Sequence, residues 1–343
     1  METIRVGLHG YGTIGKRVAD AILLQKDMEL IGITAHSANY RVEIAQERGI
    51  SIYSSDRENE IKSTEEFKKN GITIKSNFDN FLKDIDVIVD CTPKKIGAAN
   101  KLLYTKAGIK AIYQGGEKAD IGQSFVAQCN YKEAINKQHI RVVSCNTTGL
   151  SRTIHAIHTH YPIKRVRATL IRRATDPSDS DKGPINSIVP AFELPSHHGP
   201  DVRTIIPDVE VFTTAVIVPT TLMHMHNLSI DLIDDNKKPS KEDLIELFKN
   251  TTRVRVMKTN LQVNSTADII EYARDLGNKR GDMMEICVWD NGIGIHGKEI
   301  FFMQAVHQES NVIPENIDAI RAAMGFVDAQ ESIKMTNKNL GLK

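Results

Sequence analysis

One glycine pattern near the start of the chain constrains the fold more than any other feature. Gly10, Gly12 and Gly15 form a G-x-G-x-x-G run that follows the apolar segment Ile4–His9 and precedes an amphipathic stretch over Lys16–Gln25. In a strand–turn–helix unit the first glycine permits a tight turn, the second lets the backbone approach a pyrophosphate, and the third lets helix and strand pack closely. The pattern therefore predicts a dinucleotide-binding α/β unit, with the anion at the helix N-terminus.

Short apolar runs and helical patterns continue to alternate through residues 1–144. The further predicted strands are Leu30–Thr34, Asp86–Cys91, Lys110–Gln114 and Ile140–Ser144. The predicted helices between them are Arg41–Arg48, Ile96–Ala107 and Tyr131–Lys137. Near-continuous apolar strands separated by helices are typical of a parallel sheet covered on both faces. Residues 1–144 are therefore predicted to form a Rossmann-type dinucleotide-binding domain in an α/β protein.

After Leu150 the pattern changes to strands in which apolar and polar residues alternate, which favours antiparallel pairing with one buried face. The predicted strands are Lys164–Arg173, Glu210–Val218, Thr221–Ile233, Thr252–Lys258, Met284–Trp289 and Glu299–Val306. The predicted helices are Arg152–His160, Lys241–Phe248, Thr266–Leu276 and Pro314–Met324, and the predicted mobile loops are Asp176–Gly183 and Pro195–Pro200. Residues 145–308 are therefore predicted to form an α+β catalytic domain with a mostly antiparallel sheet. The C-terminal region, about 309–343, is expected to pack back on the first domain.

The charge balance and the cysteines limit the class of protein. The 343 residues carry 44 Lys+Arg and 43 Asp+Glu, a net charge of +1, which argues against nucleic-acid or membrane-surface partners. The apolar runs are too short for a membrane helix. The four cysteines, Cys91, Cys129, Cys145 and Cys287, are widely spaced and form no CxxC pair. We therefore expect a cytoplasmic protein in which a special cysteine is catalytic rather than structural.

Cys145 is the cysteine with a catalytic setting. It follows an apolar run that begins at Ile140, and small polar residues and a predicted helix follow it. At a helix N-terminus the dipole and the free N–H groups favour a thiolate and stabilise an oxyanion. We therefore predict that Cys145 is a nucleophile, whereas the other three cysteines are expected to be core residues.

A thiol that attacks a carbonyl needs a neighbouring base, and histidine is the usual one. The candidates are His197, His198, His224, His226 and His307. His224 and His226 lie in a strand-like stretch and so point to one face, although His226 also fits a half-buried structural histidine. The histidines at 197, 198, 224 and 226 have spacing that suggests zinc. No Cys, Asp or Glu completes a zinc motif, and no metal site is predicted.

The end of the second predicted strand bears on the choice between NAD and NADP. The fingerprint expects an acid there to hold the ribose 2′-OH, but Ala35, His36 and Ser37 stand at this point. His36, Ser37 and Arg41 are instead suited to a 2′-phosphate. We therefore expect NADP, or both NADP and NAD, as cofactor.

Several blocks of the sequence resemble phosphorylating glyceraldehyde-3-phosphate dehydrogenases, and in particular the archaeal branch of that family. The most specific block is the stretch Val143–Leu150, which is similar to the family's active-site signature. The other blocks are Gly10–Lys16, Gln114–Lys118, Lys182–Ser187, Pro219–His226 and Ala305–Ser310. The resemblance spans nearly the whole chain. One departure is Ala35, where many archaeal relatives have a lysine, and this weakens the argument for NADP.

The resemblance implies roles for individual residues. It points to His224 as the catalytic partner of Cys145, with His197 or His198 as the alternative. The implied substrate contacts are Ser144, Cys145, Asn146, His197 and His198. The implied cofactor contacts are Thr13, Ile14, Gly115, Arg173 and Gln308. A homotetramer is also implied.

The expected reaction begins when the Cys145 thiolate attacks the aldehyde carbon of D-glyceraldehyde 3-phosphate while His224 accepts the proton. Hydride then passes to NAD(P)⁺, and inorganic phosphate cleaves the resulting thioester to give 1,3-bisphosphoglycerate. Arg172 and Arg173 end a predicted strand and suit a phosphate group. Aspartate-semialdehyde dehydrogenase and N-acetylglutamyl-phosphate reductase share the same architecture and thiol chemistry and stay open as alternatives. So does a non-catalytic dinucleotide-binding redox sensor, although no resolving thiol is adjacent to Cys145.

Overall fold

A computed structural model describes residues 2–57, 60–114, 116–176 and 183–342. Gly115, Lys182 and most of the predicted loop Asp176–Gly183 lie outside the described residues. The chain divides into two compact units, residues 1–144 with 313–341 and residues 145–312. Among the described residues, no helix is both long enough and apolar enough to cross a membrane.

The first unit contains a parallel sheet of seven strands. The strands are β1 Ile4–His9, β2 Met28–Ala35, β3 Ile52–Ser54, β4 Val87–Asp90, β5 Lys110–Tyr113, β6 Gln123–Phe125 and β7 His139–Val142. Their order is β3-β2-β1-β4-β5-β7-β6, and every pairing is parallel. This confirms the predicted Rossmann-type sheet. The sequence reading missed β3 and β6, because runs of three residues are too short to show a periodic pattern.

Helices follow most strands of this sheet. They are α1 Gly15–Leu23, α2 Tyr40–Glu47, α3 Glu60–Lys69, α4 Phe78–Lys83, α5 Ile96–Lys106 and α6 Ala127–Asn130, and the C-terminal segment adds α11 Ile313–Ala323 and α12 Ala329–Leu340. The stretch Tyr131–Lys137, predicted as a helix, forms only a 3₁₀ turn at Tyr131–Ala134. Helix α1 buries Val18, Ala21 and Ile22, as its amphipathic pattern predicts.

The second unit contains a mixed sheet. Its strands are β8 Ile163–Arg173, β9 Val189–Pro190, β10 Glu210–Val218, β11 His224–Leu232, β12 Val254–Met257, β13 Ile286–Trp289, β14 Gly294–His296 and β15 Glu299–Val306. The order is β12-β13-β15-β11-β8-β10-β9, with β14 paired to β15. The β8–β10 and β12–β13 pairs are parallel; the other pairs found among the described residues are antiparallel, so the prediction of a mostly antiparallel sheet is confirmed.

The helices of the second unit are α7 Cys145–His160, α8 His198–Arg203, α9 Lys241–Asn250 and α10 Thr266–Asp275. Helix α7 begins at Cys145, earlier than the predicted start at Arg152. The prediction that Pro195–Pro200 is a loop was wrong at its C-terminal half, where α8 begins. Gly199 lies in the first turn of α8 and packs closely on β10, since its N–H donates to Thr213 Oγ1 at 2.9 Å and a Cβ there would meet the Val211 carbonyl oxygen at 2.6 Å.

A buried arginine joins three segments of the first unit. The side chain of Arg321, on α11, is 0% exposed and makes a bidentate ion pair with Asp27, with N–O distances of 2.7 and 2.9 Å. It also donates to Gln25 Oε1 and, at 2.6 Å, to Thr336 Oγ1 on α12. Burial by itself would raise the pKa of Asp27, but the hydrogen bonds and charge of Arg321 outweigh it and hold that pKa below its usual value.

We predict that Arg321→Met lowers the free energy of unfolding by about 3 to 5 kcal/mol, because it leaves the Asp27 carboxylate without its buried partner. The stabilisation is present above the ordinary pKa of an aspartate and disappears as the pH falls through the lowered pKa of Asp27, so the two proteins should converge in acid. Urea unfolding at several pH values measures this. Lys334→Met is the control, since Lys334 is 78% exposed beside Glu331 and should change stability by less than about 0.5 kcal/mol. Equal losses in both variants would contradict the account.

Candidate functional site

The glycine turn after β1 has the shape of an anion cradle. Gly10 has a φ of +92°, and a Cβ there would lie 3.1 Å from the backbone of Cys91. A Cβ at Gly15 would lie 2.0 Å from the Gly10 carbonyl oxygen, whereas a Cβ at Gly12 would meet nothing within 4 Å. Helix α1 then starts without a side-chain cap. The turn is therefore closed towards the sheet and open at Gly12, which fits the approach of a pyrophosphate to a helix N-terminus.

The residues expected around the nucleotide lie near this turn or at the end of the neighbouring strand. Thr13 and Ile14 are half-buried in the turn. His36 and Ser37 are exposed and directly follow β2, whose last residue, Ala35, is buried. Arg41, in the first turn of α2, donates through Nε to the hydroxyl of Tyr40 at 3.2 Å. Cationic and hydroxyl groups therefore stand where an NAD-selective enzyme would place an acid.

Cys145 is held by its backbone at the start of α7. Its carbonyl oxygen accepts a hydrogen bond from Asn311 Nδ2 at 2.9 Å. The carbonyl of Asn311 in turn accepts from Arg152 Nη2 at 2.8 Å, and Arg152 Nη1 donates to the carbonyl of Met284 at 2.9 Å. The residue itself is partly exposed. These contacts fix where the thiol stands within the second unit.

The electrostatics of Cys145 differ from the expectation of a resting thiolate. Burial raises the pKa of the thiol to about 11, although the charges of Arg173 and Arg172 and the backbone N–H of Asn146 lower it. The helix start thus acts in the predicted direction, and the two arginines, which were expected to bind a phosphate, add to it, but together they do not outweigh desolvation. Burial also raises the pKa values of Cys91 and Cys287, and neither pKa is lowered by a cation pair such as the one at Cys145.

His224 is the first residue of β11 and follows Met223, which has a φ of +59°. Its Nδ1 accepts a hydrogen bond from the backbone N–H of Arg173 at 3.0 Å. A backbone N–H can only donate, so the neutral ring carries its hydrogen on Nε2. Burial, and then the charges of His226 and Arg173, hold the pKa of His224 well below its usual value. Among the hydrogen bonds found in the described chain, none involves Nε2.

The other candidate bases are engaged differently. His226 is fully buried, and its two ring nitrogens contact Asn146 Oδ1 at 2.9 Å and Gln304 Nε2 at 3.1 Å. The ring nitrogens of His198 contact Asn146 Nδ2 and Ser196 Oγ, each at 3.2 Å. Burial lowers the pKa of His226 to about 3. Burial and then the charge of His197 lower that of His198 to about 2. His226 therefore matches the structural alternative.

His197 stacks on His198 with ring centroids 4.0 Å apart, and its side chain is 58% exposed. Protein groups engage both ring nitrogens of His198 and of His226. Among the described residues, the grouping close enough to share an ion is Asp282, His307 and Glu309. There His307 Nδ1 contacts Ser310 Oγ at 2.6 Å and Nε2 contacts a Glu309 oxygen at 3.1 Å, so protein groups already occupy both ring nitrogens.

Arg172 and Arg173 lie at the end of β8 and differ in their partners. The Arg173 guanidinium binds the carbonyl of Thr175 and the carboxylate of Asp176. The Nε atoms of both arginines are buried without a hydrogen-bond partner. Since no ion pair joins Arg172 to a carboxylate in the described chain, Arg172 is the better placed of the two to neutralise a phosphate.

Gln308, an expected cofactor contact, is buried; its amide nitrogen faces Glu309 Oε1 at 3.3 Å and its Oε1 has no partner. Sequence reasoning missed Asn311, Arg152 and Gln304. A partial signal existed for Gln304, because it is a polar residue at an inward position of the alternating strand β15.

Comparisons with known proteins identify the family that the chain resembles. The family "Glyceraldehyde 3-phosphate dehydrogenase, C-terminal domain" matches residues 144–291, and "Dihydrodipicolinate reductase, N-terminus" matches residues 4–115. Proteins named glyceraldehyde-3-phosphate dehydrogenase from Thermococcus kodakarensis and Pyrococcus furiosus are each 50% identical over 99% of both chains. One from Methanococcoides burtonii is 49% identical over 100% of both. The solved structure of aspartate semialdehyde dehydrogenase II from Vibrio cholerae superposes with a TM-score of 0.63 at 14% identity, covering 94% of this chain and 98% of that one.

We predict that Arg172→Gln slows alkylation of Cys145 by iodoacetamide near neutral pH. The substitution removes a charge that lowers the pKa of the thiol, so the rate-against-pH curve should move to higher pH. The control is Arg167→Gln on the same strand, because Arg167 is exposed and paired with Asp231 and should leave the curve in place. An unchanged curve in Arg172→Gln would show that this cation does not act on the thiol.

Proposed function

The chain belongs to the glyceraldehyde-3-phosphate dehydrogenase family, and from that premise we propose how its residues perform the reaction. It is an NAD(P)-dependent oxidoreductase of the phosphorylating type, which converts D-glyceraldehyde 3-phosphate and inorganic phosphate to 1,3-bisphosphoglycerate as part of glycolysis. The observation that carries the assignment to residues is the position of Cys145 at the start of α7, with its thiol in the field of Arg173 and Arg172.

Cys145 is the nucleophile. Its sulfur bonds to the aldehyde carbon, the carbonyl π electrons move onto the oxygen, the thiol proton passes to His224, and the thiohemiacetal forms as its alkoxide. When bound, the nicotinamide cofactor supplies the hydride acceptor that turns the thiohemiacetal into a thioester. Inorganic phosphate then attacks the thioester carbonyl, the carbon–sulfur bond breaks, and the Cys145 sulfur regains a proton from His224. The raised pKa of the free thiol means that its proton is transferred during the reaction rather than before it.

His224 is the better base on geometric grounds. His198 and His226 have amide or hydroxyl partners at both ring nitrogens, whereas His224 has a partner only at Nδ1 among the hydrogen bonds found. The hydrogen bond from the Arg173 N–H to His224 Nδ1 sets a condition for this role. To accept a proton at Nε2, the ring must hold its hydrogen on Nδ1, and this displaces the hydrogen bond from the Arg173 N–H. Proton transfer at His224 is therefore coupled to the end of strand β8.

The substrate phosphates are bound through cations and polar groups of the second unit. We assign Arg172 to an anion site because its buried Nε lacks a partner and because, unlike Arg173, it is paired with no carboxylate in the described part of the chain. Ser144, Asn146, His197 and His198 are assigned to substrate binding, as the family resemblance implies. His198 contributes its ring edge or face rather than a free nitrogen, because Asn146 and Ser196 occupy both nitrogens.

The cofactor is assigned to the first unit, residues 1–144 with the C-terminal helices, and the catalytic domain to residues 145–308. The open side of the turn at Gly12 supports pyrophosphate binding by Gly10, Gly12, Thr13, Ile14 and Gly15. His36, Ser37 and Arg41 favour NADP over NAD because no acid stands at the end of β2 to repel a 2′-phosphate. Gly115, Arg173 and Gln308 complete the proposed set on the strength of the resemblance.

We also propose a cytoplasmic homotetramer. Exposed apolar side chains support self-association: Ile185, Ile188, Val189, Phe192 and Leu194 lie in one segment, and Phe192 is 89% exposed. Monomers rarely expose apolar patches of this kind. The similarity to aspartate semialdehyde dehydrogenase, at 14% identity, is a likeness of fold and does not favour that substrate.

Cys145→Ser is expected to abolish turnover while leaving folding and nicotinamide cofactor binding intact, because a serine hydroxyl is a far weaker nucleophile than a thiol. Steady-state rates, thermal unfolding and cofactor titration measure the three properties. Cys129→Ser is the control and should retain activity. Appreciable turnover in Cys145→Ser would rule out covalent catalysis through this thiol.

The choice of base is tested by His224→Asn and His198→Asn compared side by side. We expect His224→Asn to lower kcat by about 10²- to 10⁴-fold, the usual contribution of a general base, and to slow thiol alkylation near neutral pH. If alkylation is unchanged in His224→Asn but slow in His198→Asn, His198 is the base.

Cofactor preference is tested by kinetics with NADP and NAD in parallel. Arg41→Gln should raise the KM for NADP while leaving the KM for NAD nearly unchanged, because only NADP carries the 2′-phosphate. Lys106→Gln, an exposed position in the last turn of α5, is the control. Equal effects on both cofactors would remove Arg41 from the proposed phosphate site.

A further inference from the structure

A line of buried polar side chains crosses the second unit from α7 to β10. Its members, in order of contact, are Thr153, Gln304, His226, Asn146, His198, Ser196 and Thr213. Each neighbouring pair is within hydrogen-bond distance, from 2.8 to 3.2 Å. All seven side chains are buried. The general-base mechanism uses none of these contacts directly, although one member, Asn146, adjoins the nucleophile.

The direction of every hydrogen bond in this line follows from two backbone groups at one end. Thr213 Oγ1 donates to the carbonyl oxygen of Ser196 and accepts from the N–H of Gly199, each at 2.9 Å. A hydroxyl has one hydrogen, so Ser196 Oγ must donate to Thr213 Oγ1. Ser196 Oγ then acts as acceptor for Nδ1–H of His198, and the neutral His198 ring has a lone pair on Nε2.

The directions of the remaining hydrogen bonds follow from that of His198. Asn146 must present Nδ2 to His198 Nε2, which leaves Asn146 Oδ1 to accept from Nε2–H of His226. His226 Nδ1 is then an acceptor, so Gln304 donates to it from Nε2 and accepts from Thr153 with Oε1. His226 and Gln304 are direct cross-strand partners on β11 and β15. The register of β11 and β15 therefore fixes the contact between His226 and Gln304, in the half of the line farther from Thr213.

We propose that Gln304 is a positioning residue that, through His226, holds the amide nitrogen of Asn146 towards His198. This inference rests on the proposed function. An amide nitrogen has two hydrogens, and His198 accepts one. Asn146 Nδ2 has no second partner among the described residues, so its other hydrogen is available to the substrate oxygen that becomes negative when the Cys145 sulfur attacks. Because Asn146 directly follows Cys145, this donor lies beside the nucleophile in the chain.

The direct test of the hydrogen-bond directions is neutron diffraction from deuterium-exchanged crystals of the protein. We expect deuterium on Nε2 of His226 and on Nδ1 of His198, with the opposite ring nitrogens bare. Deuterium on Nδ1 of His226 or on Nε2 of His198 would overturn the proposal. This readout does not depend on catalysis, so it separates a failure of the proposal from a failure of the proposed reaction.

The functional test is Gln304→Glu, which replaces the donor to His226 with an acceptor, so that a neutral His226 must carry its hydrogen on Nδ1 and no longer donates to Asn146 Oδ1. We expect kcat to fall by about 10²-fold, the usual cost of one lost oxyanion donor, with a much smaller change in the KM for D-glyceraldehyde 3-phosphate. Gln304→Met, which removes the contact without reversing it, should lose less. A kcat in Gln304→Glu equal to that of the parent protein would contradict the proposal.

Asn146→Asp keeps the proposal testable if Gln304→Glu does not fold. It retains the oxygen that faces His226 and replaces the donor Nδ2 with an acceptor, so kcat should again fall by about 10²-fold while cofactor titration stays near that of the parent. A loss confined to KM would show that Asn146 only binds the ground-state substrate. Such a result would overturn its role as a donor to the developing charge.

Discussion

The site depends on how Cys145 is held at the first residue of α7. Its carbonyl is bound by Asn311, whose own carbonyl is bound by Arg152, a residue two turns further along the same helix. The helix and the turn after β15 are thereby joined at Cys145. This anchoring places the sulfur beside the backbone N–H of Asn146 and within the field of two arginines. Without it, the hydrogen-bonded line through Asn146 would not be held in a fixed position relative to Cys145.

The electrostatic balance at the sulfur is a compromise between desolvation and nearby cations. Burial disfavours the thiolate more than the arginines and the helix start favour it, so the free protein holds a neutral thiol. Burial also lowers the pKa values of His198, His224 and His226, so these imidazoles of the second unit are neutral. Besides the two arginines, a site of this kind has little charge of its own. This suits both an anionic substrate and a proton transfer that takes place during the reaction.

Much of the fold was readable from the sequence, because long apolar patterns report their own secondary structure. Strands β1, β10 and β15 begin and end where the patterns predict, and the glycine turn has the close contacts that its motif requires. Cys145 could be singled out because its strand-to-helix setting is local. The state of its thiol was not predictable, since the sequence shows a helix start but not the depth of burial around it. The same limit applies to Gln304 and His226, which meet through a strand register that no local pattern specifies.

The central claim is that Cys145 forms the covalent intermediate, and mass spectrometry of the trapped acyl-enzyme tests it most directly. The protein would be mixed with D-glyceraldehyde 3-phosphate and oxidised NADP or NAD without inorganic phosphate, quenched in acid and digested. The account predicts an acyl adduct on the peptide that contains Cys145, and its loss when phosphate is added before the quench. Reduction of the cofactor with no adduct, or with the adduct on Cys91, Cys129 or Cys287, would contradict it.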